Sequence, residues 1–142
     1  MILGLCVVSS MSVYSQEFRK LEDADVDRAG VKFAQEFASN YLTALKEGGS
    51  YTFADEAIDV LKKQLTEENQ KASYGQIRAL YGDFQSLEYA ETYVRDGSGG
   101  LQVIRFKSDF SQSDGKIEVR VVLDDSGKVA GFWIKPWTDP LN

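Results

Sequence analysis

Histidine does not occur anywhere in the 142 residues. Its absence removes the commonest general base, the commonest zinc ligand and every Ser/His or Cys/His nucleophile pair. Cysteine occurs once, at Cys6, so no disulfide can form within the chain. Cationic residues are the minority, 16 against 22 acids for a net charge of −6. They are interleaved with acids rather than gathered in a stripe, which argues against a phosphate-backbone partner. No stretch approaches the roughly 18 consecutive apolar residues of a membrane span. Asp114 and Asp125 sit beside glycines and read as turn residues, because a calcium loop needs several more oxygens at fixed spacing. No nucleic acid, membrane span, metal or cofactor is therefore expected.

What is present suffices for one domain, since a chain of this length buries roughly two-thirds of its unfolded surface. Residues 1–15, MILGLCVVSSMSVYS, have an apolar centre and read as a signal peptide cleaved after Ser15, although no Lys or Arg precedes that centre. The expected location is secreted or periplasmic. Residues 16–27 are polar and acidic, an expected flexible lead-in whose Asp25 or Asp27 caps the first helix. Residues 28–142 are expected to form the single folded domain.

From Arg28 to Glu47 the apolar residues Val31, Ala34, Phe37, Ala38, Tyr41, Leu42 and Leu45 recur on one helical face, and Gly48-Gly49 ends it. Phe53 to Lys63 predicts a shorter helix or two broken turns. Thr66 reads as the N-cap of a third helix, with Ala72, Ile77 and Leu80 inward and Gly82 as its stop. Gly75 inside that helix suggests close packing or a kink. The pattern then switches to period two. Leu87, Tyr89 and Tyr93 fall on one side of a first strand, and Glu88, Thr92 and Val94 on the other. Asp96–Gly100 is a hairpin turn. Ser113-Asp114-Gly115 and Asp125-Ser126-Gly127 separate three further strands, the last carrying Ala130, Phe132 and Ile134 against Val129, Gly131 and Trp133. Pro136 closes it. The fold class is α+β: three N-terminal helices packed on a curved four-stranded antiparallel sheet.

Leu61–Thr66, Tyr81-Gly82-Asp83-Phe84, the run Ile117–Asp124, Gly127–Phe132 and Pro136 carry a resemblance. Together with the order of elements, they resemble the nuclear transport factor 2-like superfamily. More narrowly, they are similar to a bacterial domain of unknown function found alone or ahead of α/β-hydrolase domains. The likeness runs from about Ala29 to Pro136 and rests on strand and turn residues. It implies a cone-shaped fold and pairing through the sheet, and it brings no catalytic residues with it.

Four kinds of site are legible. Tyr41, Tyr89, Tyr93 and Phe106 would line a pocket for a small apolar ligand if the aromatics between helix and sheet leave it open; otherwise they fill the core. Arg105, Lys107, Glu118 and Arg120 would hold an anion, or pair with one another across strands. Val122, Val129 and Trp133 would form an apolar strip for a protein partner or a homodimer, unless Trp137 and Leu141 of the tail cover it. Glu91, read on the same face as Tyr89 and Tyr93, is the weak catalytic candidate. An isomerase or hydrolyase would use it with Tyr41 or Tyr93 in a dry pocket. The leading expectation is an exported, non-enzymatic binding or interaction domain.

Overall fold

The computed structural model describes residues 18–95 and 100–141. The expected leader with its cleavage site, and most of the Asp96–Gly100 turn, lie outside the described residues.

Helix α1 spans Arg28–Lys46, as its periodicity predicts, and all seven residues of its apolar face are buried. The Asp27 carboxylate accepts from the Gly30 amide at 3.0 Å, satisfying one of the orphan donors of the first turn. Gly48, at φ +90°, ends the helix. Helix α2 is only Asp59–Gln64. The residues before it run along the sheet edge instead: Val129 donates to Glu56 O at 2.8 Å, and Ile58 donates to Val129 O at 3.0 Å. Helix α3 spans Glu67–Tyr81, and the Thr66 hydroxyl accepts from the Asn69 amide at 3.2 Å. Its buried face is Gln70, Tyr74 and Ile77, whereas Ala72 and Leu80 are exposed. A polar residue and a tyrosine on the inner side concealed that face from an apolar count. A Cβ on Gly75 would meet nothing within 4 Å, so close packing does not account for that glycine.

The sheet has five strands rather than four, all antiparallel and in sequence order: β1 Arg19–Lys20, β2 Phe84–Arg95, β3 Leu101–Phe110, β4 Ile117–Leu123 and β5 Val129–Pro136. The extra strand comes from the expected flexible lead-in. Arg19 pairs with Val94 and Lys20 with Tyr93, and Val26 reaches the core. Two residues are too few to show a period of two, which is why this strand is silent in the sequence.

Three single-residue slips interrupt the ladders, and two of them decide which candidate side chains meet. On β2, Tyr89 faces Phe106 but Glu91 faces Arg105, with Ala90 left over. On β5, Gly131 faces Val122 but Val129 faces Leu123, with Ala130 left over. A bulge of one residue reverses the face of everything beyond it. Tyr89 therefore points to the helices while Glu91 and Tyr93 lie on the outer face, contrary to the single face expected for all three. Val129 moves inward, joins Phe132 and Ile134 in the main core, and is fully buried. It cannot belong to an outer strip.

Candidate functional site

The space between α1 and the sheet is filled. Rings of Phe37, Tyr41, Tyr51, Phe53 and Phe132 contact one another, with Tyr41 and Phe132 centroids 4.9 Å apart and Tyr51 and Phe53 5.0 Å apart. A cavity lined by Tyr41, Gln70, Tyr74, Phe132 and their neighbours measures about 20 Å³. That is room for about one water, against roughly 300 Å³ for a small-molecule pocket. The Tyr41 hydroxyl is buried without a hydrogen-bond partner, and burial pushes its pKa upward. Tyr89 stacks edge-on to Phe106 at 6.2 Å and bonds Thr92 at 2.7 Å, away from the Tyr41 cluster. Tyr93 is on the other side of the sheet. The four expected ligand residues thus do not converge, and Glu91 shares no pocket with Tyr41.

The outer face holds the polar chemistry. Arg105 and Glu118 are neighbours on β3 and β4, and each side chain is fully buried. Arg105 Nε donates to Glu118 Oε2 at 2.9 Å and Nη2 donates to Oε1 at 3.0 Å, a bidentate pairing. Arg105 Nη1 donates to Glu91, whose other oxygen meets Lys20 Nζ at 3.2 Å. Arg120 Nε also donates to Glu118 Oε2, at 2.7 Å. Burial works against the charge on Glu118, but the bonds from Arg105 and Arg120 outweigh it and hold its pKa below the usual carboxylate value. Burial likewise opposes the charge on Arg105, and Glu118 with Glu91 more than restores it. At Lys135, burial and then repulsion by Arg120 lower the pKa. Of the expected charge cluster, Arg105, Glu118 and Arg120 form one network. Lys107 stands beside it, 4.9 Å from the Trp137 ring.

No protein-family model, curated protein or solved structure matches this chain.

The tail completes the face. Trp137 lies flat against Arg105, with the guanidinium carbon 3.9 Å from the ring centroid. The Thr138 carbonyl accepts from Arg105 Nη2 at 2.6 Å. Beyond it, Leu141 joins Phe18, Tyr93 and Trp133 around a buried apolar trio of Leu101, Val103 and Val122. Trp133 folds back over Gly131, where an added Cβ would lie 2.4 Å from its ring. Of the expected strip, Val122 is buried within the chain, Trp133 is half-buried and Val129 is absent. Cover by the tail, the competing expectation, is present. Among the described residues no group of His, Cys, Asp and Glu is placed to hold a metal ion, and no helix is long and apolar enough to cross a membrane.

Sequence reasoning missed Gln70 and the role of Thr138. Gln70 is buried in α3, accepts from the Tyr51 amide at 2.8 Å, and donates to Tyr51 O at 3.1 Å and Leu65 O at 2.8 Å. A glutamine among polar helix residues gives no sign of that. Thr138 acts through its main chain, which no residue type announces.

Proposed function

We propose that this chain is an exported, non-enzymatic interaction domain of the nuclear transport factor 2-like kind, which meets a protein partner through the outer face of its sheet. The packed interior supports this reading: the cavity beside Tyr41, about 20 Å³, is too small to take a ligand or substrate there. The outer face offers what interfaces use, half-buried Tyr93, Trp133 and Trp137 beside Arg105 and Arg120. Self-association through that face, as the resemblance implies, is the simplest form. An isomerase or hydrolyase built on Glu91 has less support, because Glu91 is engaged by Arg105 and Lys20 on the face opposite Tyr41.

The test locates the binding surface. Sedimentation and uptake of an apolar fluorescent dye are measured on the chain from Gln16, wild type and Trp133→Glu. The expected result is association that Trp133→Glu weakens in a folded protein, with no saturable dye uptake. Saturable uptake blocked by filling the cavity beside Tyr41, and indifferent to Trp133→Glu, would return the site to the interior and sink the proposal.

A further inference from the structure

The register sets a row of alternating charge across the outer face. Glu88 on β2 stands opposite Lys107 on β3, Lys107 opposite Glu118 on β4, and Glu118 opposite Lys135 on β5. Such a row is its own complement when reversed. Turned about a two-fold axis parallel to the strands and midway between β3 and β4, a second copy lays its Lys135 over Glu88 and its Glu118 over Lys107. The same turn sets Val103 over the second copy's Val122, so the apolar trio meets itself, with half-buried Tyr93 and Trp133 at its flanks. One like-signed meeting results, Arg105 with Arg120, and there the Trp137 indole already lies over the guanidinium at 3.9 Å. A partner of a single charge sign has no such fit to this row; a second copy of the chain does.

The tail is placed to cross between the copies. Its last ladder bond runs from Trp137 N to Lys116 O, 3.1 Å. Beyond that bond, among the described residues, the tail makes no further main-chain to main-chain hydrogen bond, and Thr138, Asp139 and Pro140 are exposed. What holds it is the indole on Arg105, the Thr138 carbonyl accepting from Arg105 Nη2, and Leu141 on the trio. The receiving side does not depend on the tail, because Glu118 and Glu91 fix the guanidinium. Within one chain the tail has to pass over β4 to go from β5 to β3. In the paired arrangement β5 lies over the second copy's β2, only one strand spacing, about 4.8 Å, from its β3. Packed sheets stand about 10 Å apart and a tail of this length spans about 17 Å when extended, so the crossing is within reach. The closed fit also leaves Trp137 Nε1 buried without an acceptor. An open groove of about 580 Å³ beside Trp137, past Lys107, Lys116 and Asp139, gives the tail room to swing.

We infer that two copies pair outer face to outer face in this register and exchange their tails, each Trp137–Leu141 lying on the other copy's Arg105 and apolar trio. The inference rests on the interaction-domain reading and supplies its partner and its mode. Exchange preserves every contact of the tail, whereas closure keeps the tethered tail always within reach. What decides for exchange is what pairing adds: burial of Tyr93 and Trp133 and the reversed charge row, contacts that a closed single copy does not make.

The experiment crosses variants of the full chain and reads homodimers and mixed dimers by native mass spectrometry over a dilution series, with one population isotope-labelled. Trp137→Ala removes the donor. Arg105→Lys removes the planar face and keeps a charge beside Glu118. Mixed together, these two single variants hold a native Trp137–Arg105 contact only if tails cross. Wild type mixed with the double variant holds one only if tails stay on their own chain. The expected result is a mixed dimer of the singles at least tenfold tighter than either single with itself. Wild type should pair with the double variant no more tightly than the double variant pairs with itself. The opposite pattern overturns the exchange and leaves the interaction-domain reading standing, since a dimer is still formed. A wild type that stays monomeric at millimolar concentration overturns the exchange as well. If Arg105→Lys does not fold, the same crossing of Leu141→Ala with Val103→Ala gives the answer. Saturable dye uptake by the interior is the separate sign that the reading itself is wrong.

Discussion

Arg105 and Glu118 stand diagonally across adjacent strands with neither side chain exposed, joined by hydrogen bonds of 2.9 and 3.0 Å. A buried charge is tolerated only while its partner is present. Arg105→Met is expected to destabilise the fold by about 3–5 kcal/mol, because it strips the buried Glu118 carboxylate of its bidentate partner. The double variant with Glu118→Leu should recover a large part of that loss. Urea unfolding of the two singles and the double closes the cycle; equal, additive losses would show that the two groups are not coupled.

The same pair sets an acid limit. The folded pKa of Glu118 lies below its ordinary value of 4.5, so the folded state resists its protonation. Its contribution is present above the unfolded value and is lost as pH falls from about 4.5 through the lower folded value. Stability measured from pH 7 to pH 3 should therefore drop in that window. Glu118→Gln should start less stable and show a shallower decline. A variant with the wild-type slope would assign the acid sensitivity elsewhere.

Gln70 clamps the loop after α1 to α3 by three bonds to main-chain groups. Gln70→Leu keeps the volume and strands those groups, so a loss of about 2–4 kcal/mol is expected. Thermal unfolding would read it, and faster amide exchange at Tyr51 would locate it.

Two glycines on or beside α3 should respond in opposite directions. Gly75 has open space around it, so Gly75→Ala should stabilise by about 1 kcal/mol through helix propensity alone. Gly82 sits at φ +83°, and its Cβ would fall 2.2 Å from Ser111 Oγ and 2.8 Å from Gln112 N. Gly82→Ala should therefore destabilise by more than Gly75→Ala gains. Denaturant midpoints of the two variants decide this, and a shift of the same sign in both would contradict it.

Tyr41→Phe removes a buried hydroxyl that has no partner. Stability should stay level or rise slightly, since nothing is left unpaired by the change. A loss above about 1 kcal/mol would reveal a hydrogen bond to a water held in the small cavity.

The first helix, the start and stop of α3 and the limits of the four longer strands were legible because each rests on a local signal. The face of α1 follows from spacing, the Thr66 cap from a hydroxyl before two acids, and the stop at Gly82 from its freedom at positive φ. The candidate site was less legible, because site geometry depends on parity. Ala90 and Ala130 are each one surplus residue in a strand, and alanine at a bulge looks like alanine in any strand. Counting by twos across them put Glu91 with Tyr89, and Val129 with Trp133. Arg105, Glu118 and Arg120 escaped this error because no slip lies between Ser108–Gln102 on β3 and their partners on β4. The fate of Trp137 and Leu141 was open in the sequence for another reason: a tail after the last strand has no period to read.

Phe18 and Leu141 pack on the same apolar trio, though they stand at opposite ends of the described chain. A purification handle, a fluorophore or a second domain joined directly to either of these residues therefore emerges beside the face proposed for the partner and competes with it for room. Labels are better carried on the exposed turn at Asp125–Ser126, outside that apolar cluster and outside the groove beside Trp137. A binding measurement made with a handle joined there would report on the handle as much as on the protein.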